Sequence, residues 1–129
     1  MDLEPLQLRA EPLPGAVVMV RQGSVTLNDD KLARSCDKSY ARWGVFGFSV
    51  HELPSGGFEE LARLFPMLQR RPRLLVAGSA ALLADGFPLF PTGAYPHWTV
   101  VLSEPSPTQF GRVRARFTER ANPSFRPER

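Results

Sequence analysis

The clearest pattern along the chain is strict alternation over residues 44–53, GVFGFSVHEL. Phe46, Phe48 and Val50 point one way, and Gly47, Ser49 and His51 the other. The run HWTVVL (97–102) repeats it, with Trp98, Val100 and Leu102 on one face and His97, Thr99 and Val101 opposite. Both runs read as strands with one face against a core. A helical period takes over in residues 28–43, where Leu32, Cys36, Tyr40 and Trp43 fall at i, i+4, i+8 and i+11 as one apolar stripe. Asn28 can cap this helix, Asp29 and Asp30 suit the positive end of its dipole, and Gly44 ends it. Lys31, Arg34, Lys38 and Arg42 face elsewhere.

Shorter elements fill the gaps. AVVMV (16–20) reads as a buried strand ending at Arg21, followed by a turn at QGS. After the PSGG turn, FEELARLF makes a short helix with Phe58, Leu61 and Phe65 inward, stopped or kinked at Pro66. QRRPR is a basic connection, LLVA a strand, and SAALLAD a short helix stopped by Gly86. Prolines at 88 and 91 keep the strand candidate FPLF out of a central position. SPTQFGRVRARF reads as a helix capped by Thr108, with Phe110, Val113 and Phe117 inward. The order β-α-β-α-β-α-β-β-α predicts an α/β or α+β fold: a single small sheet of about four to five strands with three to four helices packed on it. Residues 1–15 read as a flexible, acidic, proline-rich arm, 16–120 as a single domain, and 121–129 as an irregular basic tail.

Composition bounds the function. With 129 residues, 43% hydrophobic and 22% charged, the chain has globular proportions and the length of one domain. It has no apolar run of about 18 residues, so no membrane span is expected. Its acidic, proline-broken start has neither the basic beginning nor the apolar stretch expected of a signal peptide. The single cysteine, Cys36, falls on the inner helix face as a packing thiol and suits a reducing cytoplasm. Two histidines and one cysteine argue against a structural zinc site. There is no phosphate-binding P-loop, no glycine-rich dinucleotide motif and no serine nucleophile elbow, so no cofactor is implied.

Charge is uneven. Residues 1–14 carry Asp2, Glu4 and Glu11 against Arg9, whereas residues 106–129 carry six arginines against Glu119 and Glu128. Arg112, Arg114 and Arg116 sit on the wet faces of the last helix, where they would draw a nucleic acid, a nucleotide or a cognate acidic protein. If the two alternating strands share one sheet with their aromatic side on the core, then Ser49, His51, His97 and Thr99 gather on the opposite face. Arg21 can join them from a third strand. An arginine, two histidines and two hydroxyls form a site for a phosphate or phosphodiester. In it His97, His51 and Arg21 are the catalytic candidates, and Ser49, Thr99 and the three arginines of the last helix bind the ligand.

Three resemblances bear on this site. PHWTV resembles the H-x-T/S motif of the two-histidine phosphoesterases, which implies a histidine base and a phosphate-holding hydroxyl; the second motif would fall at His51, where Leu53 stands in the hydroxyl position. VVMVRQG with the later GFSVH resembles ADP-ribosyltransferases, which implies NAD held by Arg21 and a late acid at Glu104. From Gly44 onward, Gly86-Phe87, Pro91-Thr92, Pro96-His97, Val100-Val101-Leu102 and Asn122-Pro123 resemble a group of small bacterial proteins from GC-rich genomes, associated with toxin–antitoxin neighbourhoods. The expected function is a toxin-like cytoplasmic effector acting on RNA, a nucleotide or another phosphorylated ligand. The alternatives are a non-catalytic interaction module, in which the arginines of the last helix matter and His97 does not, and an ADP-ribosyltransferase-like enzyme.

Overall fold

A computed structural model describes residues 18–22 and 28–127; the residues of the 1–15 arm lie outside them. Helix α1 (Asp29–Trp43) starts where expected: Asn28 Oδ1 accepts from Lys31 N at 2.8 Å. It stops at Gly44, whose left-handed backbone (φ 79°) lets its N–H bond the Tyr40 carbonyl. The alternating runs become β2 (Phe46–Glu52) and β5 (His97–Leu102). Between them lie α2 (Gly57–Leu64), a 3-10 turn at Pro66–Arg70, β3 (Arg73–Gly78), α3 (Ser79–Ala84) and the short β4 (Leu89–Pro91). Strand β1 (Val18–Gln22) precedes them, and α4 (Pro107–Arg114) and β6 (Thr118–Ala121) follow.

The strands form one sheet in the order β4-β5-β2-β1-β3-β6, and every pairing is antiparallel. The fold is therefore α+β with six strands, one more than the upper expectation. The extra strand is β6, whose sequence TERA straddles the expected boundary between the domain, ending at residue 120, and the irregular tail. Thr118, Arg120 and Ala121 are exposed at the sheet edge, so β6 lacks the apolar alternation by which strands are recognised. The cap of α4 also differs: Ser106, not Thr108, accepts from Gln109 N. Proline-bounded β4 does lie at the other edge.

Two apolar clusters cover the sheet. The larger unites Met19, Phe48, Val50, Val100 and Leu102 with Leu32 and Cys36 of α1, Leu82 and Phe87, and Phe110 and Val113 of α4. The smaller joins Val20 and Leu74 to Leu61, Ala62 and Leu68. Adjacent residues Met19 and Val20 feed different clusters, so strand alternation buries both faces of central β1. The C-terminal stretch is tied down at Asn122, whose buried amide donates to the carbonyls of Leu68 and Arg71, both at 2.8 Å, while its Oδ1 accepts from Ser124 N. Among the described residues, no helix is long and apolar enough to cross a membrane.

Candidate functional site

The β2–β5 register opposes Phe46, Phe48 and Val50 to Leu102, Val100 and Trp98, as the two alternating patterns require. The same register opposes Ser49 to Thr99 and His51 to His97. Directly opposed residues project to the same side, so these four share one face. The two imidazoles meet edge to face, with centroids 5.4 Å apart.

Their surroundings separate them. His51 stacks on Phe65 at 4.3 Å. Burial, with the charges of His97 and Arg21 behind it, pulls its pKa from 6.5 to about 4. At neutral pH His51 is an uncharged ring packed on another ring.

His97 is held by the turn that leads into β5, which contains the cis Tyr95–Pro96 bond. Its Nδ1 donates to the Thr92 carbonyl at 2.7 Å and lies 3.0 Å from Thr92 Oγ1. A carbonyl can only accept, so Nδ1 carries the proton, and in the neutral ring Nε2 holds the lone pair. The Thr92 hydroxyl in turn shares a 2.7 Å hydrogen bond with the Thr99 hydroxyl, and both threonines are buried. Burial lowers the His97 pKa, the Thr92 carbonyl opposes the fall, and the charge of Arg42 adds to it. The ring is thus oriented, neutral at pH 7 and basic at a defined nitrogen.

Arg21 arrives because β1 and β2 part. The two strands pair only at Met19–Glu52 and Val20–His51. Just beyond, Arg21 spans the opening: Nη1 donates to the Ser49 carbonyl at 2.8 Å and Nη2 to Ser35 Oγ at 3.3 Å. Its guanidinium lies 5.1 Å from the Phe48 ring centroid. Burial lowers its pKa to about 10, which leaves it charged at neutral pH.

A cavity of about 330 Å3 opens at this point, between α1 and the strands. Arg21, Lys38 and Arg42 bring three positive charges to its wall, and among the described residues no carboxylate lines it. Hydroxyls come from Ser35, Ser39, Ser49 and Thr99, and His97 reaches the same wall. Trp43 and Phe48 supply aromatic surface. Ser39 is 8% exposed, and its Oγ is buried without a hydrogen-bond partner. A buried hydroxyl without a partner costs roughly 1–3 kcal/mol, so Ser39 is a polar group beside the cavity that the fold leaves unsatisfied.

Arg21, Ser49, His97 and Thr99 thus meet at one cavity, while His51 stands beside it, outside the lining. The arginines of α4 and of the turn that follows it are elsewhere, the helix ending at Arg114 rather than running on to Phe117. Arg112 bonds both the carbonyl and the carboxylate of Asp85, Arg116 pairs with the same carboxylate at 3.6 Å, and Arg114 pairs with Asp29 at 2.7 Å. Glu104 is exposed in the turn after β5, and it does not line the cavity. Cys36 is buried with its pKa raised by that burial, as suits a packing thiol. No group of three His, Cys, Asp or Glu among the described residues could hold a metal ion.

Thr92 and the α1 contributors Ser35, Lys38, Ser39, Arg42 and Trp43 are absent from the expected site. A signal for the latter exists: Ser35/Ser39 and Lys38/Arg42 are two i, i+4 pairs flanking the apolar stripe. Comparison with protein-family models, curated proteins and solved structures returns no match.

Proposed function

We propose that the protein binds a phosphorylated ligand in the cavity between α1 and the β1–β2 opening, with His97 as general base. The carrying observation is the lining itself: three cations, four hydroxyl-bearing residues and no carboxylate among the described residues. Anionic oxygens satisfy the charges and find donors in the hydroxyls of the wall. In the reaction His97 Nε2 takes a proton from an attacking hydroxyl, of water or a sugar, as that oxygen bonds to phosphorus. Arg21 and Lys38 balance the charge on the phosphoryl oxygens, and the imidazolium returns the proton to the leaving oxygen. His51, with its pKa at about 4 and its ring stacked on Phe65, serves as packing and not as a second acid.

A toxin-like effector acting on RNA or a nucleotide is the cellular role that fits this chemistry. Partner binding through α4 and the turn after it has less support, because Arg112, Arg114 and Arg116 already face Asp85 and Asp29. ADP-ribosyl transfer lacks an acid at the cavity among the described residues, Glu104 being outside it.

The test is phosphate-ester turnover, assayed on mononucleotides and a short RNA with wild type, His97→Gln and Arg21→Met. The expected result is turnover by wild type alone, with His97→Gln still binding ligand and Arg21→Met not. The wild-type pH–rate profile should rise through a pKa below 6.5 and stay flat to pH 8, because a lowered base is fully deprotonated there. Equal turnover by all three proteins would overturn the assignment.

A further inference from the structure

The cavity wall holds more than charge. Arg42 Cζ lies 4.8 Å from the Trp43 ring centroid, and the half-buried Trp43 lines the cavity beside it. A free phosphate or a sugar phosphate has no use for such a surface. A planar heterocycle has, because both an indole face and a guanidinium plane stack on a nucleobase. At about 330 Å3 the space lies near the lower end of the roughly 300–1,000 Å3 typical of small-molecule sites, the size for one nucleotide and not for a duplex.

Building on the phosphate-binding reading, we infer that the ligand is a nucleoside monophosphate or a single terminal nucleotide. Its base stacks on the Arg42–Trp43 pair, and its phosphate is held by Arg21, Lys38 and the Ser35 hydroxyl. Lys38, Ser39, Arg42 and Trp43 fall within six consecutive residues of one capped helix, so the two halves of the ligand are gripped by one rigid element. Trp43 acts as a specificity determinant and takes no part in the chemistry.

The chain has two tryptophans, and Trp98 bonds Glu52 away from the cavity lining. Trp98→Phe therefore leaves Trp43 as the only indole reporter. The full chain carrying Trp98→Phe is titrated with the four common 5′-mononucleotides, ribose 5-phosphate and inorganic phosphate, with emission followed. Calorimetry on wild type, Trp43→Ala and Trp43→Phe runs in parallel, so the result does not hang on one variant. Expected are saturable quenching by at least one mononucleotide, no quenching by ribose 5-phosphate, and about 10- to 100-fold tighter binding of the nucleotide, the usual gain for one stacked base. Trp43→Ala should bring the nucleotide down to the ribose 5-phosphate level, and Trp43→Phe should restore most of the difference. If the sugar phosphate binds as tightly as every nucleotide, the stacking platform is refuted while the phosphate site stands. If no phosphate compound binds the wild type, both fall together.

Discussion

Replacing Arg21 by methionine should abolish ligand binding without weakening the fold. The magnitude follows from how the guanidinium is held. Burial lowers its pKa from 12.5 to about 10. At about 1.4 kcal/mol per pH unit, this corresponds to a penalty on the order of 3 kcal/mol for keeping the charge in the folded chain. Below pH 10 the group is protonated in both folded and unfolded states, so the penalty is fully present at pH 7. It is relieved only as the pH rises from 10 towards 12.5. Against it stand the 2.8 Å bond to the Ser49 carbonyl and the longer one to Ser35, together about 1.5–3 kcal/mol for a charged donor. Methionine removes both sides of this balance and keeps contact with the Phe48 ring. Urea unfolding at pH 7 should therefore show a change between zero and about 1.5 kcal/mol of added stability, with an unchanged m-value. Calorimetric titration with a mononucleotide should show binding gone. A loss of more than about 1.5 kcal/mol would mean that Arg21 is a structural tie between β1, α1 and β2, and would sink its reading as a ligand-binding group.

Two further outcomes are expected of the scaffold. Between about pH 6.5 and 4 the unfolded chain protonates at His51 while the folded chain does not, so stability should fall as the pH drops through that window, by roughly 2–3 kcal/mol in all. His51→Phe, which preserves the stack on Phe65, should flatten that part of the stability–pH curve; an unchanged slope would show that His51 is not its source. Asn122→Ala removes two donated bonds and one accepted bond at a buried position, and should lower stability by about 2–4 kcal/mol in denaturant unfolding. A change under 0.5 kcal/mol would mean that the C-terminal stretch is not anchored there.

Most of the architecture was legible because apolar periodicity reports burial, and burial is what most of these elements share. Phe46, Phe48 and Val50 face Leu102, Val100 and Trp98 as alternation demanded, and the Asn28 and Gly44 caps bound α1 where expected. The face shared by Ser49, His51, His97 and Thr99 followed from the same period. Strand β6 escaped because an exposed edge has no apolar pattern to read. The α1 half of the site escaped for a different reason. Lys38 and Arg42 look like any solvated helix side until it is known that β1 and β2 separate after Val20 and His51 and that α1 lies against the opening. Thr92 was similarly hidden, since its hold on His97 depends on how a five-residue turn closes. Periodicity says which side of an element is wet; it does not say which wet sides meet.

The strand order has a consequence for how the protein is made. β2 and β5 are hydrogen-bonded neighbours, yet their partners lie roughly fifty positions apart in the chain, a long-range pairing that forms slowly and late. A chain still emerging from the ribosome carries Arg21, Ser35 and Ser39 well before the segment that brings His97 and Thr99. Until that segment is released and zipped onto β2, the cavity wall lacks His97 and Thr99. Chains that stop short of β5 thus lack the proposed general base, which enters the cavity wall only once that strand has paired.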